Sequence, residues 1–183
     1  MSRTGMGRST AGGPIRVLGI DPGLTRMGYA VVDEVAGRPT APACGTVRTP
    51  ASEDPATRLT TIFNRLSAVA EEWEPDVVAV ERLFFSANAA SAVGAIQASG
   101  VALVAAARCG LPVCEYTPLQ VKQAVVGNGV ATKKQVQFMV ERLLGGKAGW
   151  DSPDAADALA VGLTHLACRK LASLAQPAGK GHR

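Results

Sequence analysis

The patterned part of the chain opens with a short, mostly apolar run, Ile15-Arg16-Val17-Leu18-Gly19-Ile20, which stops at Asp21-Pro22-Gly23. Two similar runs follow after brief connections, Gly28–Asp33 and Ala43–Arg48. Three short runs so close together predict an antiparallel meander. The apolar period then lengthens. Leu59, Ile62, Phe63, Leu66, Val69 and Ala70 recur at helical spacing and predict a helix from Pro55 to Trp73. Asp76–Glu81 is a fourth strand, with Val77-Val78-Ala79-Val80 as its apolar centre. Ala89–Arg108 is a long helix dense in Ala and Gly, and Pro112–Tyr116 is a fifth strand.

Three more helices are announced by their caps. Thr117-Pro118-Leu119-Gln120 and Thr132-Lys133-Lys134-Gln135 are capping boxes, the first with Pro at the opening helical position. Gly127-Asn128-Gly129 separates them, and Ser152-Pro153 starts the last helix, which is expected to end near Leu171. Three antiparallel strands followed by alternating helix and strand predict an α/β fold with a mixed five-stranded sheet flanked by helices.

Both ends of the chain change in composition. Residues 1–14 are rich in Gly, Ser, Thr and Arg, and residues 172–183 are Pro/Gly-rich and basic. They are expected to be a disordered leader and a disordered tail around one domain over 15–171. The net charge of +4 resides there as well: without Arg3, Arg8, Lys180 and Arg183, fifteen basic residues face fifteen acidic ones. A nucleic-acid partner must therefore be argued from the placement of charge, not from the total.

Four cysteines without C-x-x-C spacing and only two histidines argue against a zinc site or a disulfide framework. The cysteines are read as small core residues. Any metal should be a hard ion bound through oxygen. The longest nearly apolar stretch, Val93 to Ala107, is too short for a membrane span, and the N-terminus lacks the apolar core of a secretory signal. A cytoplasmic location is expected.

The candidate chemistry lies in four acids. Asp21 and Glu81 each end an apolar strand, and Asp154 and Asp157 open the last helix three residues apart, on one face. Each has a bland explanation. Asp-Pro-Gly is ordinary turn chemistry, an acid at a strand tip is often solvated, and acids suit the first turn of a helix. Asp157 is the exception, because its helix is apolar on both sides, and a buried carboxylate there needs a partner. Converging carboxylates raise one another's pKa, a cost that divalent cations relieve. The pattern points to Mg²⁺- or Mn²⁺-dependent phosphoryl transfer.

These residues sit within longer stretches. Gly19-Ile20-Asp21-Pro22-Gly23 with Gly28-Tyr29, Val80-Glu81-Arg82-Leu83-Phe84, Val121-Lys122-Gln123 with Val125-Val126-Gly127, Lys133 to Val136, and Asp154-Ala155-Ala156-Asp157-Ala158-Leu159-Ala160 together resemble the RuvC family of bacterial Holliday junction resolvases, within the RNase H-like nucleases. The resemblance runs from Arg16 to His165. It implies an endonuclease that resolves four-way DNA junctions in recombination and repair, using two Mg²⁺ ions per site, with Mn²⁺ as a substitute. It implies a homodimer working alongside the RuvA–RuvB branch-migration complex. The family's catalytic and metal-binding acids fall on Asp21, Glu81, Asp154 and Asp157. Its junction-stacking aromatic falls on Phe84, with Phe85 read as core. Its DNA-binding lysines fall on Lys122 and Lys133; Lys134 and Arg26 are further candidates near a phosphate path. Leu24 departs from the family, where many relatives carry a small polar residue.

Two other readings are weighed. A junction-binding protein without catalysis is disfavoured by four intact acids. An actin-like or sugar-kinase-type ATPase shares Asp21-x-Gly23-x-Thr25, but such enzymes carry a second phosphate loop, and this chain has no second Asp-x-Gly-x-Thr.

Overall fold

The structure is a computed structural model and describes residues 14–83, 89–146, 149–150 and 152–175, with the side chains of 89–91 outside that description. The elements run β1 (Ile15–Asp21), β2 (Arg26–Val35), β3 (Arg38–Arg48), α1 (Pro55–Trp73), β4 (Val77–Glu81), α2 (Ala89–Arg108), β5 (Val113–Tyr116), α3 (Pro118–Val126), α4 (Lys133–Leu143) and α5 (Pro153–Ala175). They form one sheet in the order β3-β2-β1-β4-β5. β1–β2 and β2–β3 pair antiparallel, whereas β1–β4 and β4–β5 pair parallel. This is the mixed five-stranded α/β sheet that the sequence predicts.

Strand alternation divides the core in two. Val17, Val77 and Ala79 pack on one side with Ala158, Leu159 and Val161 of α5 and with Val121, Val136 and Val140 of α3 and α4. Leu18, Ile20, Val78 and Val80 pack on the other with Ile62, Leu66 and Val69 of α1 and with Ala98, Ala102 and Ala105 of α2. Successive residues of a strand face opposite sides, so the small helix residues of α2 meet the larger side chains of β1 and β4.

Both expected capping boxes close, at Thr117–Gln120 and Thr132–Gln135. At the start of α1, Asp54, which the sequence reading did not single out, accepts from the amides of Ala56 and Thr57. The meander differs in length. β2 and β3 run on past Asp33 and begin before Ala43, meeting at a tight Ala36-Gly37 turn with φ of 52° and 75°. Both values suit a two-residue hairpin. The extension is polar because β3 is an edge strand with alternating solvent contact, so apolar pattern does not mark it. α5 continues four residues beyond Leu171, as an exposed stretch of good helix formers. The four cysteines are half-buried and form no disulfide with one another; they pack at the margins of the two cores rather than within them. The expected leader and most of the expected tail lie outside the described residues. No helix among the described residues is long and apolar enough to cross a membrane.

Candidate active site

Alternation that puts Val17 and Gly19 on the α5 side aims Asp21 there too, and the same count from Val77 and Ala79 aims Glu81. β1 and β4 are parallel neighbours with Ile20 opposite Val80, so the two acids end adjacent strands side by side. α5 crosses directly above. Its approach is close because the strands present glycine to it: a Cβ on Gly19 would collide with the carbonyl of Ala158 and lie 2.8 Å from the amide of Gly162. A Cβ on Gly28, opposite Asp21 in the β1–β2 register, would collide with the carbonyl of Asp154. The glycines bring the first turn of α5, with Asp154 and Asp157, down onto the strand ends. The Thr46 and Ser152 hydroxyls, in hydrogen-bond contact, hold the start of that helix to β3.

The electrostatics show the acids acting on one another. Burial, then the charges of Asp157 and Glu81, push Asp21 up to about 8. Burial and Asp157 push Glu81 up to about 7, with Lys133 and Lys122 pulling it back. Asp157 is raised too: burial outweighs its bond to Lys133. Buried carboxylates beside like charges favour a counter-charge.

Two protein cations partly supply it. Lys133 Nζ donates to Asp157 Oδ2 at 2.5 Å, and Arg26 Nε lies 3.3 Å from Asp154 Oδ2. Burial works against the charge of Lys133, but its bond to Asp157 and the fields of Asp21 and Asp154 win and raise its pKa. Lys133 is the first residue of α4, placed by the Thr132 cap, and Lys122 on α3 is close enough to lower Glu81. Lys134 is exposed beside them. Phe84 and Phe85 lie outside the described residues.

The donors fit a hard divalent cation: they are all carboxylates, they share one face, and their mutual repulsion favours a multivalent counter-ion. Among the described residues, no three His, Cys, Asp or Glu side chains form a ready-made ligand set. Asp154 and Asp157 are instead engaged with Arg26 and Lys133.

One buried polar residue, on the other side of the sheet, escaped the sequence reading. Arg58 is only 8% exposed and donates to the Oγ1 atoms of Thr49 and Thr25 at 2.9 and 2.8 Å. Its signal was available. Arg58, Ile62, Leu66 and Val69 follow the helical period of the buried face of α1, and a cation in such a row calls for an explanation.

Comparisons with known proteins agree with this architecture. The family profile described as crossover junction endodeoxyribonuclease RuvC matches residues 17–165. The Syntrophomonas wolfei protein of that name is 48% identical over 159 residues, covering 87% of this chain and 92% of the relative. The Moorella thermoacetica protein of that name is 50% identical over 149 residues, covering 81% and 89%. Among solved structures, Thermus thermophilus RuvC in complex with a Holliday junction substrate matches with a TM-score of 0.81 and 38% identity, over 87% of this chain and 97% of that one. The yeast mitochondrial Holliday junction resolvase shares the fold, with a TM-score of 0.61 at 13% identity over 87% of this chain and 82% of that one. The profile spans all four acids, the relatives and the solved structure cover most of the chain, and on that ground this chain belongs to the RuvC family of crossover junction endodeoxyribonucleases.

Proposed function

We propose that this chain resolves four-way DNA junctions by hydrolysing phosphodiester bonds, with Asp21, Glu81, Asp154 and Asp157 as its catalytic acids. The observation that carries this reading is the mutual perturbation of acids from β1, β4 and α5, which raises Asp21 to about 8 and Glu81 to about 7. Nucleases of this family are metal-dependent. The four carboxylates would hold two Mg²⁺ ions, or Mn²⁺ in their place, which supply activation of the attacking water and charge stabilisation of the leaving oxygen.

The chain's own residues prepare the site. Asp21 and Glu81, fixed at strand ends, define a rigid edge, while the close seat of α5 sets the distance of Asp154 and Asp157 from it. Burial favours the protonated forms of Asp21 and Glu81, whereas Asp157 and Asp154 are paired with Lys133 and Arg26. Lys133 and Arg26 would meet DNA phosphates beside Lys122 and Lys134. Phe84 stacks on a junction base. In-line attack leaves a 5′-phosphate and a 3′-hydroxyl that a ligase can seal.

Two such sites must cut opposite strands, which calls for a homodimer. The outward face of α2 supports one, with Val93, Ile96 and Val104 exposed by 55%, 44% and 54%. The leader, residues 1–14, and the tail, residues 172–183, flank the nuclease domain. Membership of the family supports action in the cytoplasm alongside the RuvA–RuvB complex.

The test is incubation with a synthetic four-way junction, with and without Mg²⁺ or Mn²⁺. Symmetric, ligatable nicks that require the metal are expected. Junction binding with intact strands would replace this reading with that of a binding protein.

A further inference from the structure

Arg58 carries an inference beyond the acids. It sits on the buried face of α1, the side of the sheet opposite the carboxylates, where a hydrophobic residue would pack at lower cost. Among the described residues no carboxylate pairs with it; its partners are two hydroxyls on two different segments. Thr49 closes the end of β3, and Thr25 belongs to the loop Pro22–Thr25 that runs from Asp21 to Arg26.

A guanidinium can only donate, so both hydroxyls must accept from it. Their own protons are thereby directed elsewhere. Thr49 Oγ1 donates to the carbonyl of Leu24 at 2.5 Å, and its amide donates to the carbonyl of Thr25 at 3.1 Å. The loop is thus held at Leu24 and twice at Thr25. Both ends of that loop meet the acidic cluster, Asp21 directly and Arg26 through Asp154. Leu24 also touches α2: a Cβ on Gly94 would stand 3.0 Å from its Cδ2. Without Arg58, the Thr49 and Thr25 hydroxyls could rotate and the loop would lose its fixed polarity.

We propose that Arg58 is a positioning residue, which through Thr49 and Thr25 locks the Pro22–Thr25 loop so that Asp21 and Arg26 keep their places against α5. The inference rests on the nuclease reading. A fork is required rather than a charge alone, because two acceptors on separate segments must be held at once.

The test compares Arg58→Gln, Arg58→Lys, Thr25→Val and Thr25→Ser in the full-length protein. Hydrogen exchange of the loop amides is measured together with junction affinity in Ca²⁺ and single-turnover cleavage in Mg²⁺. Arg58→Gln should speed exchange in residues 23–26 while that of β1 and α5 stays unchanged. Cleavage at saturating enzyme should fall about 10- to 100-fold, the range expected when reacting groups are misplaced by about 1 Å, with affinity nearly unaltered. Arg58→Lys should rescue little and Thr25→Ser most. Thr25→Val should match Arg58→Gln, and the double variant should be no worse than either single one. If Arg58→Gln does not fold, Thr25→Val, at an exposed loop position, supplies the same readings.

Three outcomes overturn the proposal. Parallel loss of stability, affinity and rate makes Arg58 a general brace. Loss of affinity with normal cleavage at saturation makes it a phosphate contact. Wild-type behaviour of Arg58→Lys makes charge sufficient. If the wild-type protein itself cuts nothing, the nuclease reading fails, and the exchange measurement still decides whether Arg58 holds the loop.

Discussion

The two faces of this sheet are built from alternate residues of the same strands, yet they do different work. On the α1–α2 face, Leu18, Ile20, Val78 and Val80 meet Ile62, Leu66 and small α2 residues in an apolar layer. On the α5 face, Gly19 and Gly28 give up side-chain volume to let a helix descend, and two steps beyond Gly19 comes Asp21. Both faces bury an apolar core. Only the α5 face also gives up side-chain volume for closeness and gathers carboxylates that repel one another at the strand ends. The lesson is that a one-residue step along β1 separates Ile20, in an apolar layer, from Asp21, in the acidic cluster.

The strongest way to break this contrast is Asp21→Asn. Cleavage of a four-way junction should fall roughly a thousandfold or more, while gel-shift affinity for the junction holds, because the proposed phosphate contacts are lysines rather than Asp21. Near-normal nicking in this variant would remove Asp21 from the chemistry.

Neighbouring positions on β1 test the contrast by stability. Leu18→Ala should cost about 2–5 kcal/mol in denaturant unfolding and leave cleavage per folded molecule intact. Gly19→Ala should also cost stability, about 3 kcal/mol or more by overpacking, and impair cleavage as well, because the added methyl meets the backbone of Ala158 and Gly162 and lifts α5 with its two acids. If both variants lose stability and activity in the same proportion, the two faces are not functionally separable.

The pH dependence sharpens the comparison for the acidic face alone. Asp21 rises from 3.8 to about 8 and Glu81 from 4.5 to about 7. The folded protein therefore binds protons more tightly than the unfolded chain does. The stability so gained is complete below about pH 4 and is lost as pH rises towards 8. Thermal melts without metal should show this decline, and Mg²⁺ should reduce it; Asp21→Asn should flatten it. A profile unchanged by Asp21→Asn would mean that the residue titrates normally.

The smallest expected effects concern the cations. Lys122→Ala and Lys133→Ala should each lower the slope of log affinity against log salt by about 1 unit, with equal loss across DNA sequences. Arg65→Gln on the opposite face is the control and should leave the slope alone. A change of cutting-site preference without a change of slope would assign these lysines to bases.

Much of the molecule was legible in the chain. Hydrophobic period placed the helices and the strand centres, and cap chemistry placed helix starts to within a residue, because both act over only a few positions. The polar outer half of the hairpin was not legible, since an edge strand facing water shows no apolar alternation. The four acids could be listed as candidates from strand ends and helix spacing, and the resemblance ordered them.

Their convergence is another matter. β1 and β4 are parallel neighbours only because the chain passes through α1 between them, and α5 reaches them from more than seventy residues beyond Glu81. The partners of Lys133 and Arg26, and the burial of Arg58, follow from the same long-range packing. Local sequence determined which residues could carry charge, cap a helix or end a strand, because propensity and period are local. Only the tertiary structure decided which charges meet, because pKa shifts and ion pairs depend on distance and burial, and those are set by segments remote in the chain.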